Sequence, residues 1–261
     1  LTFYFRLNLN NLNTPFIVAF MIISAIALIH HRYETFILLI LIITASVFKP
    51  IEFPTIPILV GDLHFSDFVT CGMDELCNQA AKIRYMFGGQ VKLPMVVWCP
   101  DGAGLRAAAQ HSQSLEAWFV HTPGLKVVIP SEPADVKGLI KAAIRDDDPI
   151  MFFQHKKLFA KEGHVPEEDY IIPLGQAAIK REGKDVSMLT YGSGYYLCTE
   201  ASDELKMVDI EAEVVDLRTI KPVDMETVAF SIKKTHRAVI VHEACLTGGF
   251  GAELTALIQS E

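Results

Sequence analysis

Positive charge is scarce in this chain of 261 residues: 23 Lys and Arg stand against 31 Asp and Glu, a formal net charge of −8. That balance argues against a nucleic-acid partner, because a phosphate binder needs a basic face. Cysteine is sparse as well. None of the five (Cys71, Cys77, Cys99, Cys198, Cys245) forms a CxxC pair, and the number is odd. This points away from a disulfide framework and a zinc site, and towards reduced thiols in a cytoplasm, mitochondrial matrix or plastid stroma. There is no GxGxxG nucleotide fingerprint. Gly248-Gly-Phe-Gly251 lacks that spacing and a following Lys-Ser/Thr, so it reads as a tight loop packed against a neighbouring subunit. No basic n-region with a small-residue cleavage site is present, nor an Arg-rich amphipathic leader.

What the chain does have is apolar residues, 51% of the total, unevenly spread. Phe16 to Ile29 is almost wholly apolar, His30 to Thr35 is polar, and Phe36 to Phe48 is apolar again. Each run falls short of the ~20 residues that span a bilayer. Three readings stay open for residues 16–48: a membrane hairpin or tilted anchor, a buried core, and a segment foreign to the rest of the protein. The contrast in composition favours the last of these.

From about Val60 the pattern changes to short apolar runs alternating with helical periodicity. Phe65, Phe68, Val69, Met73, Leu76, Ala80 and Ile83 recur every three or four residues and predict one amphipathic helix, stopped by Gly88-Gly89. Strands are predicted at Met95–Cys99, Lys126–Ile129, Ile150–Phe153, Val186–Tyr191, Ala212–Asp216 and Ala238–His242. Helices are predicted at Ser112–Val120, Pro133–Arg145, Tyr195–Leu205 and Met225–Lys234, with a last one after Gly251. Alternation of this kind implies an α/β fold with mostly parallel sheets. The polar stretch Lys156–Pro173 reads as a connection between two α/β units.

Several stretches stand in an order that resembles one family. They are Val60-Gly-Asp-Leu-His-Phe-Ser-Asp-Phe68, Asn78-Gln-Ala-Ala-Lys82, Ala108-Ala-Gln-His-Ser-Gln-Ser-Leu-Glu-Ala-Trp118, Pro123-Gly-Leu-Lys-Val-Val128 and Ala143-Ile-Arg-Asp146, then Ile172-Pro-Leu-Gly175, Asp216-Leu-Arg-Thr219 and Gly248-Gly-Phe-Gly-Ala-Glu253. Together they resemble the E1 β subunits of pyruvate, acetoin and branched-chain 2-oxo acid dehydrogenases over roughly residues 60–261. The resemblance implies a parallel-sheet thiamine-pyrimidine-binding domain at 60–160, a linker at 161–180 and a transketolase-type C-terminal domain at 181–261, with residues 1–59 outside the match. It also implies thiamine diphosphate, with Mg2+ held mainly by an E1 α subunit in an α2β2 heterotetramer, and acyl transfer to a lipoyl-bearing E2 acyltransferase. Pyruvate is the substrate expected first.

The same resemblance assigns candidate residues. Phe68 would stack on the cofactor. His111 would be the acid–base group, since an imidazole titrating near neutrality suits proton transfer to a lipoyl thiol or a substrate oxygen. Its neighbours Gln110, Ser112 and Gln113 are expected to fix its tautomer. His121, His155 and His242 read as structural. Potassium would be held by main-chain oxygens at Met95, Ala143, Ile144, Asp146 and Asp148, a helix end that exposes unpaired carbonyls.

Two departures from the family stand out. Its activating glutamate should lie near Ile42, but residues 37–48 contain no acidic residue. Trp98 also stands where the family has Arg, which puts a local salt bridge in doubt. The missing carboxylate leaves a second reading: an inactive subunit that keeps the interface, tethered or not through residues 16–48. A transketolase or deoxyxylulose-phosphate synthase fragment is a third, which the stretch around His111 argues against.

Overall fold

The computed structural model describes residues 59–260. The expected position of the activating carboxylate and the apolar runs at 16–48 lie outside them. Among the described residues no helix is long and apolar enough to cross a membrane.

The first sheet has the order β1-β2-β4-β3-β8. Its strands are β1 (Leu59–Asp62), β2 (Met95–Asp101), β3 (Lys126–Val128), β4 (Ile150–His155) and β8 (Thr219–Lys221). β2 and β4 are continuous apolar runs because both their faces are covered, as a central parallel pair requires. The helices α1 (Ala81–Met86), α2 (Glu116–Val120) and α3 (Pro133–Ile144) belong to this half. Pro133 opens α3 at a position whose N–H has no helical partner in any case.

The second sheet has the order β5-β7-β6-β9, from β5 (Ala178–Arg181), β6 (Val186–Thr190), β7 (Ala212–Asp216) and β9 (Ala238–Val241). Its helices are α4 (Gly194–Lys206), α5 (Met225–Thr235) and α6 (Phe250–Ser260). All pairings are parallel except β5 on β7 and β8 on β3. The α/β architecture with mostly parallel sheets is therefore as the sequence pattern implies.

Three details differ from the pattern. The single helix expected through Phe65–Ile83 is a 3-10 turn at Ser66–Gly72, a π turn at Glu75–Ala80 and then α1. Periodicity alone does not separate these forms, and π turns are frequent beside functional sites. The helix expected from Ser112 begins only at Glu116. Three strands are new, β1 among them. β5 begins inside the stretch read as a linker, and β8 leaves the second half of the chain to pair antiparallel with β3, Val128 opposite Thr219.

One apolar cluster spans both halves. It runs from Leu76 and Phe119 through Met151 and Phe153 to Leu189, Ile220 and Leu254. Phe119 and Phe153 lie at its centre, fully buried, with ring centroids 5.6 Å apart. A second cluster under α3 holds Val96, Val128, Leu139 and Phe152. Phe153→Ala would leave a cavity where the halves meet and should cost about 3–5 kcal/mol, read from urea unfolding. A loss under about 1 kcal/mol would contradict this account of the core.

Candidate functional site

Phe68 and His111 are far apart in sequence, yet their rings meet. After β1 the Leu63 N–H bonds the Trp98 carbonyl, and the chain turns into the Ser66–Gly72 segment. That turn leaves the Phe68 ring 45% exposed. The other partner comes from the loop after β2. His111 ends a 3-10 turn, Ala109–His111. Its imidazole sits edge-on to Phe65 at 4.9 Å and to Phe68 at 5.3 Å between centroids.

The loop between β2 and His111 is tightly constrained. Gly102 and Gly104 take φ of 85° and 93°. A Cβ on Gly102 would overlap the His155 ring, and one on Gly104 would overlap the Lys157 side chain. Only glycine permits both the dihedral and the close approach. Arg106 and Ala108 have φ of 56° and 62°, costly for residues with a Cβ. Gln113, expected to fix the His111 tautomer, turns elsewhere: its backbone N–H and its side-chain amide both donate to Asp67 Oδ1, at 3.1 and 3.0 Å.

Behind these rings lies a buried polar seam. Ser66 Oγ donates to Asp101 Oδ1 at 2.5 Å, and Tyr191 OH donates to Glu116 Oε1 at 2.8 Å. His155 Nε2 contacts Glu243 Oε2, and Ala103 N–H reaches the same oxygen at 3.3 Å. Asp101, Glu116, His155, Tyr191 and Glu243 line one narrow cleft, with room for about 20 Å³ of water. Burial, with Glu116 adding to it, pushes Asp101 up to about 7. Burial also raises Glu116, while the His155 contact lowers Glu243. His155 and His242 each make a further local contact. His155 Nδ1 accepts from Lys157 N at 3.2 Å, and His242 stacks on Tyr191 at 6.1 Å.

The proposed cation positions adjoin. Ala143 and Ile144 end α3, and Leu93 N–H bonds the Asp147 carbonyl at 2.9 Å, which brings the Asp146–Asp148 turn against the start of β2 at Met95. The carboxylates of that turn already have cations. Lys126 Nζ lies 2.7 Å from Asp146 and 3.2 Å from Asp148, and Arg84 meets Asp148 at 2.5 Å. Burial alone would raise Asp148, but Arg84 and Lys126 outweigh it and hold the carboxyl low. Among the described residues no three His, Cys, Asp or Glu side chains converge as a metal site, so a cation here would rest on main-chain oxygens.

Two domain families match this chain: the transketolase pyrimidine binding domain over residues 57–161 and the transketolase C-terminal domain over residues 175–261. The chain therefore carries a transketolase pyrimidine binding domain followed by a transketolase C-terminal domain. Several of its relatives are named as β subunits of oxidoreductases. The acetoin:2,6-dichlorophenolindophenol oxidoreductase subunit beta of Cupriavidus necator is 50% identical over 202 residues, 77% of this chain and 60% of that protein. The pyruvate dehydrogenase E1 component subunit beta of Bacillus subtilis is 44% identical over 200 residues, 76% of this chain and 62% of that protein. The mitochondrial 2-oxoisovalerate dehydrogenase subunit beta of Dictyostelium discoideum is 44% identical over 203 residues, 77% of this chain and 55% of that protein. This transketolase-like chain thus spans roughly 55 to 62% of the length of these relatives. A split-gene transketolase, solved as an inactive β4 tetramer, shares the fold with a TM-score of 0.67 at 22% identity, covering 84% of this chain and 67% of that one.

Sequence reasoning singled out Phe68 and His111 but missed Asp67, Asp101, Glu116, Lys156 and Glu243. Asp67 sits beside Phe68 in a quoted motif. Glu243 is brought in from the other half by the fold, and no local signal marks it.

The buried acids make stability depend on pH. Asp216, at the end of β7, is fully buried and pushed up to about 7 by burial, with Asp135 adding and Lys180 opposing. An unfolded aspartate titrates at about 3.9, so between about 4 and 7 the folded chain keeps a proton that the unfolded chain has lost. Stability therefore falls across that window as pH rises. Asp216→Asn removes one such titration, so the gap between urea midpoints at about pH 5 and about pH 8 should narrow. An unchanged gap would contradict the assignment.

Proposed function

We propose that this chain is the β-type subunit of a thiamine-diphosphate-dependent 2-oxo acid dehydrogenase E1, with pyruvate as substrate. It works with an E1 α subunit in an α2β2 heterotetramer and passes the acyl group to the lipoyl arm of an E2 acyltransferase. The observation that carries the reading is the His111 imidazole set edge-on against a half-exposed Phe68, on a pyrimidine-binding domain.

The residues present fit the cofactor. A half-exposed aromatic ring backed by a second one suits stacking on a flat heterocycle. Bound thiamine diphosphate supplies the carbon nucleophile for a 2-oxo carbonyl. This chain's Phe68 holds the pyrimidine, and His111 carries a proton to the substrate oxygen or the lipoyl thiol. The diphosphate and its Mg2+ belong to the α subunit. No described residue is assigned the activating carboxylate. The 50% identity to the Cupriavidus necator subunit favours acetoin as a second substrate to be tried.

The test is His111→Ala in a purified αβ assembly offered pyruvate, 2-oxoisovalerate and acetoin in separate arms. Assembly by size exclusion should be retained, and acyl transfer to a lipoyl domain should fall by on the order of 10² to 10⁴. Turnover equal to that of the unsubstituted protein would overturn the role of His111. Absence of thiamine-dependent turnover in every arm, in the unsubstituted assembly, would overturn the function.

We also infer a structural potassium ion at the main-chain oxygens of Met95, Ala143, Ile144, Asp146 and Asp148. The support is the adjacency of that helix end to β2, with the acidic side chains already taken by Lys126 and Arg84. Replacing K+ by Li+ should lower the melting transition of the assembly, and an unchanged transition would count against the site.

A further inference from the structure

We propose that Asp67 is the positioning residue for His111: it holds the 106–113 loop through Gln113, and Lys156 is its buried counter-ion. This rests on the reading of His111 as the acid–base group.

The loop cannot hold itself. Arg106 and Ala108 sit in the left-handed region, which side chains with a Cβ adopt only under constraint from outside. The turn that ends at His111 is closed by one long bond, His111 N–H to Ala108 O at 3.4 Å. Among the described residues no side-chain hydrogen bond holds the imidazole, which packs edge-on to Phe65 and Phe68. The nearest strong attachment is two residues on, at Gln113. Its carbonyl accepts from Gly102 N–H at 3.0 Å, and its two N–H donors converge on Asp67 Oδ1.

Asp67 is itself locked. Its side chain is 1% exposed and that of Lys156 is 2% exposed, with Nζ 4.0 Å from Oδ2. The ammonium also lies 5.2 Å over the Phe65 ring, the ring that abuts His111. Among the described residues neither Asp67 Oδ2 nor Lys156 Nζ has a direct hydrogen-bond partner, so each is left facing the other. The chemistry demands a carboxylate. An ionised Asp offers acceptors on both sides, one oxygen for the two Gln113 donors and one for the ammonium. An Asn can serve only one side, because its amide nitrogen would face either Lys156 or the Gln113 donors.

This logic gives a compensated test in the full αβ assembly, with three variants: Asp67→Asn, Gln113→Ala, and Asp67→Asn combined with Lys156→Gln. Two readouts are taken. The first is the rate of carbethoxylation of His111 by diethyl pyrocarbonate, followed by mass spectrometry against His121 as internal reference. The second is kcat and KM for the 2-oxo acid. Both single variants should expose His111 to faster modification and lower kcat about tenfold, as misplacement of an acid–base group does, with KM unchanged. The double variant should move both readouts back towards the unsubstituted protein. In it the introduced glutamine carbonyl accepts from the introduced asparagine amide, which leaves the asparagine oxygen to Gln113. Should Asp67→Asn fail to assemble, Gln113→Ala alone decides, since it alters only an exposed side chain. Unchanged His111 reactivity in the single variants would overturn the proposal. An unsubstituted assembly without thiamine-dependent turnover would instead overturn the function, while the modification rates still score the clamp.

Discussion

The pairing of β8 on β3 holds the described structure together. It takes three residues from the second half of the chain and lays them along the edge of the first sheet. Lys221, at the end of β8, sends its ammonium to the carbonyls of Val120 and Thr122, which would otherwise be open beyond α2. An unpaired parallel-sheet edge beside so apolar a core would be an aggregation hazard. The same pairing brings Tyr191 against Glu116 and Glu243 against His155. His155 then leaves room only for glycine at position 102, and that glycine starts the loop ending at His111. A contact between two halves is thus transmitted to the candidate site through sterics at one residue.

The seam between the halves is unusual in its charge. Asp67, Asp101, Glu116 and Glu243 gather around Lys156 and His155, so acidic side chains outnumber basic ones in a largely buried region. Uncompensated buried charge is expensive, and the chain relieves it in two ways. Asp101 and Glu116 bind protons more readily than free carboxyls do. Asp67 lies opposite the Lys156 ammonium, with its other oxygen taken by Gln113. The seam is thus divided in space: Asp101 and Glu116 sit behind the site, and Asp67 sits beside the loop that presents the imidazole.

Local departures from family pattern are absorbed in the same physical way. Trp98 does not leave a broken salt bridge. Its indole N–H donates to Gln154 at 3.0 Å, and its ring stacks on Phe159 at 5.9 Å. A neutral hydrogen bond and an aromatic face anchor Trp98 between neighbouring elements, and the β2–β4 register is kept. The long predicted helix through Phe65–Ile83 shows the opposite limit of sequence reading. Its apolar positions do face the core, as Val69, Leu76, Ala80 and Ile83 are buried. The hydrogen-bond pattern differs because the first turn must place Ser66 against Asp101 and Asp67 against Gln113 while leaving Phe68 outside.

The amino-acid sequence alone determined the strands β2, β3, β4, β6, β7 and β9 and most helices of both units, because burial on both faces demands continuous apolar runs and burial on one face demands helical periodicity. It also carried the motif residues Phe68 and His111, since residue type and order survive in a linear string. Tertiary structure alone decided that those two rings touch, that β5 and β8 exist, and that Asp67, Lys156 and Glu243 surround the site. Short edge strands are stabilised by their neighbours rather than by their own composition, and buried charges are chosen by partners distant in sequence. Neither leaves a periodic trace in the chain.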